Sequence, residues 1–160
     1  MENIKLYTVS EKYIEYLSSY APHLFRNKAA NQTHHRAYIG IVLQVNGLDY
    51  FAPLSSFKEK HKRMQETLDF IKIKRYAVIN LNNMFPIQSK DYTYLNFSKE
   101  RDSKYKSLLL AEYRYIKSIQ EKIRKNASLV YKLKISGETS SLTKRCNDFL
   151  LLEEKCRKYK

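Results

Sequence analysis

The order of residue patterns along the chain predicts an α+β domain, with strands gathered early and helices late. Runs dense in Ile, Val, Tyr and Phe precede Asp102, whereas apolar positions at mixed three- and four-residue spacing take over after it. The two patterns do not alternate, as a doubly wound α/β sheet requires. At 160 residues the chain holds one domain with a sizeable core and is too short for two of ordinary size, so residues 1–160 are read as a single domain.

Lys5 to Val9 reads as a short strand. Ser10 follows as an N-cap, its hydroxyl placed to accept from a free amide of the first helical turn. Tyr13, Leu17 and Tyr20 then share one helical face, flanked by Ile14 and Tyr16, and Pro22 marks the stop. Ala21 to His35 is polar and irregular. Two β-rich runs, Arg36 to Val45 and Leu48 to Lys58, flank Asn46-Gly47, whose tolerance of positive φ suits a type I′ turn and predicts a hairpin. Lys58 to Lys74 is charged, Tyr76 to Leu81 is a third β-like run, and Phe85-Pro86-Ile87 leads into Tyr92 to Phe97. Ser98 or Asp102 opens the longest helix, carried by Tyr105, Leu108, Leu109, Glu112, Ile116, Ile119 and Ile123. A further amphipathic stretch covers Ala127 to Ile135, Ser136 to Ser141 is a linker, and Phe149 to Cys156 is a terminal helix.

A two-residue loop pairs Val45 with Leu48, and the same register pairs Tyr38 with Ser55 and Arg36 with Phe57. The far end of the hairpin therefore gathers Arg36, Ser55, Ser56 and Lys58. Hydroxyls and fixed positive charge at one end of a sheet point to phosphate chemistry.

Composition supports a polyanionic partner. Lys and Arg number 30 against 16 acids, a net charge of +14 whose self-repulsion in one small domain calls for a counter-charge. An apolar fraction of 43% excludes a disordered chain. No apolar run approaches the ~20 residues of a spanning helix, and the start lacks a signal-peptide plan, so a cytoplasmic protein without membrane attachment is expected. Cys146 and Cys156 read as a pair of thiols, and the four histidines form no metal-ligand spacing, so neither metal nor cofactor is expected. Three glycines cannot build a glycine-rich phosphate loop. Fourteen tyrosines and seven phenylalanines mostly fall at core spacings, leaving one or two for stacking on unpaired bases.

Five blocks stand out: Leu6 to Ser10 with Lys12-Tyr13-Ile14, Ala37 to Leu43, Tyr50 to Ser56 with Lys58 and His61, Ile79-Asn80-Leu81 with Met84 and Pro86-Ile87, and Cys146-Asn147 with Leu151 to Lys155. In this order they resemble the ToxN/AbiQ family of type III toxin–antitoxin endoribonucleases. The resemblance implies a highly twisted antiparallel sheet related to a MazF-like barrel and flanked by helices. It also implies sequence-preferring cleavage of cellular or phage RNA, and processing of and inhibition by a small repetitive pseudoknotted RNA antitoxin. Closed ring-like protein–RNA assemblies follow from it too, with phage defence through abortive infection or plasmid maintenance as the biological use.

Carried over by residue, the family's hydroxyl pair falls on Ser55 and Ser56 and its lysine on Lys58. A second family lysine falls on Arg36, and an upstream aromatic falls near Gln32. Arg36 can hold a phosphate through two parallel bonds but cannot shed a proton, which removes a general-base role at that position. The expected catalytic set is Arg36, Ser55, Ser56 and Lys58, acting without metal through attack of the substrate's 2′-hydroxyl. Gln32, Lys60, His61, Lys62 and Arg63 are expected to contact RNA. Two alternatives stay open: a non-catalytic basic RNA-binding protein, and a MazF-like ribonuclease with a protein antitoxin.

Overall fold

The computed structural model describes residues 2–22, 24 and 36–160. Strand β1 (Lys5–Val9) leads to helix α1 (Glu11–Ser18), capped by the Ser10 hydroxyl, which accepts from the Tyr13 amide. The helix ends before Pro22, its last turn tightened by the Ser18 hydroxyl donating to the Glu15 carbonyl at 2.7 Å. Strands β2 (Tyr38–Val45) and β3 (Leu48–Ser56) form the hairpin, with Asn46 and Gly47 at φ +53° and +78°. Strands β4 (Phe70–Ile73), β5 (Ala77–Asn80), β6 (Phe85–Ile87) and β7 (Tyr92–Tyr94) follow. The expected charged stretch thus hides β4, whose Phe70, Ile71 and Ile73 are buried.

The sheet runs β4-β5-β3-β2-β1-β7, and β6 pairs with the other part of β3. All its pairings are antiparallel. Among the described residues no pairing joins β4 to β7, so the sheet is open and the expected MazF-like barrel does not close.

Helix α2 (Ser103–Ser118) starts at Asp102, whose carboxylate accepts from the Lys104 and Tyr105 amides. Helix α3 (Gln120–Ile135) follows after a break at Ile119 rather than beyond Ile123. The Ser118 hydroxyl bonds back to the Tyr115 carbonyl at 2.6 Å, a competition with the helical ladder that bends helices. Helices α4 (Ser141–Arg145) and α5 (Phe149–Lys158) complete the chain's helical half.

Side chains from opposite faces of the sheet enter separate cores. Tyr50, Ala52 and Leu54 of β3 pack with Leu109, Ile116, Ile123 and Val130 of α2 and α3. Phe51 packs with Tyr13, Ile14 and Leu17 of α1 and Leu152 of α5. Cys146 and Cys156 are free and buried. No helix among the described residues is long and apolar enough to cross a membrane.

One departure from the expected hairpin positions the site. Val45 faces Leu48 and Leu43 faces Tyr50, but Ile39 faces Ala52 and Tyr38 faces Pro53. Between those pairs β2 has Gly40, Ile41 and Val42 where β3 has only Phe51, so β2 carries two extra residues. A Cβ on Gly40 would lie 2.2 Å from the Phe51 ring, so the ring occupies the space that only glycine leaves. Tyr38 therefore does not pair with Ser55, nor Arg36 with Phe57. The shift brings Arg36 level with Ser55 instead, and the Leu54 amide donates to the Ala37 carbonyl at 3.1 Å.

Candidate active site at the open end of the hairpin

Ser55 and Ser56 close β3, held against β5 by pairing with Val78 and Ala77. Ser55 is half-buried and Ser56 exposed. Arg36, just before β2, donates from Nη1 to Ser55 Oγ at 3.0 Å and to the Leu54 carbonyl at 3.5 Å. Burial draws the Arg36 guanidinium below its ordinary value, against a smaller opposing effect of Tyr38, and an arginine so shifted stays charged. A hydroxyl that accepts from a guanidinium keeps its own proton for donation. Arg36 and Ser55 therefore bring together fixed positive charge and a hydroxyl donor.

Lys58 is exposed and begins a tight turn over Glu59–Lys62. His61 stabilises that turn from within. Its Nδ1 accepts from the Lys58 amide at 2.8 Å, and its own amide donates to the Lys58 carbonyl at 2.9 Å. The residue is only 6% exposed, and its ring packs against those of Phe57 and Phe70, each with its centroid 5.6 Å away. Burial, then the charges of Lys60, Lys58 and Lys72, lower its pKa. An acceptor at Nδ1 fixes the neutral tautomer with the proton on Nε2. His61 so placed orients the backbone of Lys58.

Lys60, Lys62 and Arg63 are exposed on the same turn and just beyond it, Lys62 paired with Glu59 at 3.1 Å. The structure thus joins Arg36 to Ser55 by direct contact and keeps Ser56 and Lys58 next to them along the chain. Gln32 lies outside the described residues.

Sequence reasoning missed a neighbouring group of cations. Between β4 and β5, Lys74, Arg75 and Tyr76 form a short turn, closed by the Tyr76 amide donating to the Ile73 carbonyl at 3.0 Å. Lys72, Lys74 and Arg75 line an open cleft of about 460 Å³ that also meets Phe57 and Tyr115. The readable signal was the alternation of Lys72 and Lys74 with apolar residues, ending at Arg75.

The chain matches the family model for the toxin ToxN of type III toxin–antitoxin systems over residues 5–157. It is 32% identical to the endoribonuclease ToxN of Bacillus thuringiensis subsp. kurstaki, covering 99% of this chain and 86% of that protein. It superposes with a TM-score of 0.86 and 29% identity on a solved type III toxin selectively inhibited by a non-coding RNA pseudoknot, covering 99% of this chain and 98% of that one. A third likeness is to AbiQ, a lactococcal anti-phage endoribonuclease of a type III system, with a TM-score of 0.85, 26% identity, and coverage of 99% and 98%. Sequence identity of 30–32% to curated endoribonucleases over 98–99% of its length makes this chain an endoribonuclease. The chain belongs to the ToxN family of toxins from type III toxin–antitoxin systems.

Proposed function

We propose that this chain, as one domain, cuts RNA at preferred sequences without a metal ion. The substrate's own 2′-hydroxyl attacks the adjacent phosphate, giving a 2′,3′-cyclic phosphate and a 5′-hydroxyl. Such a reaction needs in-line geometry, charge neutralisation on the phosphorane oxygens and two proton movements. Arg36 and Lys58 serve the charge, and the Ser55 and Ser56 hydroxyls donate to the same oxygens. The observation that carries this reading is the 3.0 Å contact between Arg36 Nη1 and Ser55 Oγ, next to Ser56 and Lys58 at an open strand end.

A repetitive, pseudoknotted RNA is the proposed antitoxin, cut by the toxin into units that assemble with it into closed rings in the cytoplasm. Inhibition of a related toxin by an RNA pseudoknot and the net charge of +14 support that partner, and the anti-phage role of AbiQ supports phage defence as the use.

The test is cleavage of labelled RNA in EDTA with analysis of the product ends. Cyclic phosphate and 5′-hydroxyl ends are expected, with no cutting once the nucleotide 5′ of the site is 2′-deoxy. Dependence on Mg²⁺ or a 5′-phosphate product would overturn this chemistry.

A further inference from the structure

We propose that the cleft between the β4–β5 turn and α2 is a subsite for single-stranded RNA. It would hold the nucleotides flanking the cut phosphate, with phosphates on Lys72, Lys74 and Arg75 and a base against Phe57. The proposal rests on reading Arg36, Ser55, Ser56 and Lys58 as the cleavage centre.

The cleft adjoins that centre through Phe57 and through the pairing of β3 with β5. Phe57 lines it and lies between Ser56 and Lys58 in the chain. The pairing of Ser56 with Ala77 sets the start of β5, two residues after Arg75, beside the serine pair. A volume of about 460 Å³ falls in the range of small-ligand sites.

Its charge is arranged for an anion. Glu66 is the one acid among the lining residues, and it is already engaged: Lys122 Nζ lies 2.9 Å from one oxygen and the Lys72 amide donates to the other at 2.8 Å. Burial opposes ionisation of Glu66, but those two bonds, with the charges of Lys122 and Lys72, hold its pKa below the ordinary value. Lys62 is balanced by Glu59, whereas no ion pair holds Lys72, Lys74 or Arg75 among the described residues. Three cations therefore line the cleft without a direct ion pair, against the single carboxylate of Glu66.

Local geometry aims one of them. Lys74 has φ +50°, a left-handed conformation that lysine adopts far less readily than glycine. Its ammonium sits 5.3 Å above the centre of the Tyr115 ring, at the cleft wall. Aromatic walls beside unpaired cations suit bases and phosphates of an unpaired strand better than a plain acidic surface.

The experiment measures binding of a short, fully 2′-O-methylated single-stranded RNA, which 2′-hydroxyl attack cannot cut, to the full chain across a salt series. Lys72→Ala, Lys74→Gly and Arg75→Ala are tested singly and combined. Lys74→Gly suits the left-handed backbone, so its Tm should hold or rise while binding weakens. The triple variant should bind at least tenfold more weakly at low salt, with its log–log salt slope flattened by about 2, roughly 0.7 for each phosphate no longer neutralised. Phe57→Leu should weaken binding with the slope unchanged, and 5-iodouridine in the RNA should photocrosslink to the Phe57 peptide. Unchanged affinity and slope in the triple variant, or equally tight binding of polyglutamate in the cleft, overturns the subsite. Triple-variant cleavage at wild-type kcat/KM also removes the subsite and leaves the cleavage centre standing. The converse outcome, loss of RNA binding in the triple variant while Ser56→Ala and Lys58→Ala cut normally, keeps the RNA site and moves the cleavage centre elsewhere.

Discussion

Tyr50 and Tyr131, one on β3 and the other on α3, direct their hydroxyls to the same oxygen, Oε2 of Glu153, at 2.6 and 2.7 Å. Burial first, and Glu153 second, hold both phenols well above their ordinary pKa, so they remain donors. The other carboxylate oxygen accepts from Asn46 Nδ2 at 3.0 Å, and Arg157 donates to the Asn46 carbonyl at 2.7 Å. Helix α5 thus grips the turn of the hairpin whose opposite end carries the candidate active site.

That convergence makes stability the first expected readout. Tyr131→Phe should cost about 1.5–3 kcal/mol, the worth of a hydrogen bond to a charged group. Glu153→Ala should cost about 2–5 kcal/mol, because it also opens a cavity at a position only 2% exposed. Urea unfolding of both, with the Tyr50→Phe/Tyr131→Phe double variant, should show non-additive losses. Additive, sub-kcal/mol effects would mean that the carboxylate is not held by these hydroxyls.

Gly40→Ala tests the bulge. The added methyl meets the buried Phe51 ring, and relief requires movement of the central strand. A loss of about 1–3 kcal/mol or more is expected, with reduced RNA cleavage as Arg36 shifts from Ser55. Wild-type stability together with wild-type activity would show that the ring is free to yield.

Glu112 supplies a pH dependence. It is 5% exposed on α2, and burial raises its pKa from 4.5 to about 8. The folded state therefore retains a proton that the unfolded chain releases above pH 4.5. The stability this group contributes is complete below that value and is lost as pH rises through about 8. Glu112→Gln should be at least about 1 kcal/mol more stable than wild type at pH 8 and nearly equal to it at pH 4.5. Thermal melts over that range check the sign; an equal offset at both ends would refute it.

Ser56→Ala separates chemistry from docking. Its hydroxyl is assigned to the transition state, so cutting should fall by about 10²–10³ while antitoxin-RNA affinity and its salt slope hold. Removing Lys60, Lys62 or Arg63 should instead flatten the slope by about 0.7 or less each and weaken every RNA alike. Equal loss of affinity and activity in Ser56→Ala would place the serine in the docking surface.

Local chemistry made much of the fold readable. Asn46-Gly47 adopts the expected positive φ values because the turn depends on two residues alone. Ser10 and Asp102 cap their helices for the same reason. Strand β4 escaped because its apolar alternation lies within a lysine-rich stretch, where charge masks period. The register went wrong by two residues because it depends on the contact between Gly40 and Phe51, which neighbours in sequence do not announce. Ser55, Ser56 and Lys58 are legible as a cluster in one short segment. The cleft beside them is assembled from Phe57 just after β3, the loop that follows it, β4, the turn after β4 and α2, and no single window of sequence contains it.

The unequal strands of the hairpin make residue count a functional quantity. A strand advances about 3.3 Å per residue, so the two extra residues of β2 set Arg36 about 6.6 Å from where an even hairpin would carry it. An offset of two preserves parity, and the guanidinium keeps its side of the sheet. Deleting two residues within 40–42 would therefore leave Arg36 on the correct face but opposite Phe57. Deleting one would turn the side chain to the other face. The first is an error of reach and the second an error of side, so length in this strand is constrained separately from the identity of its residues.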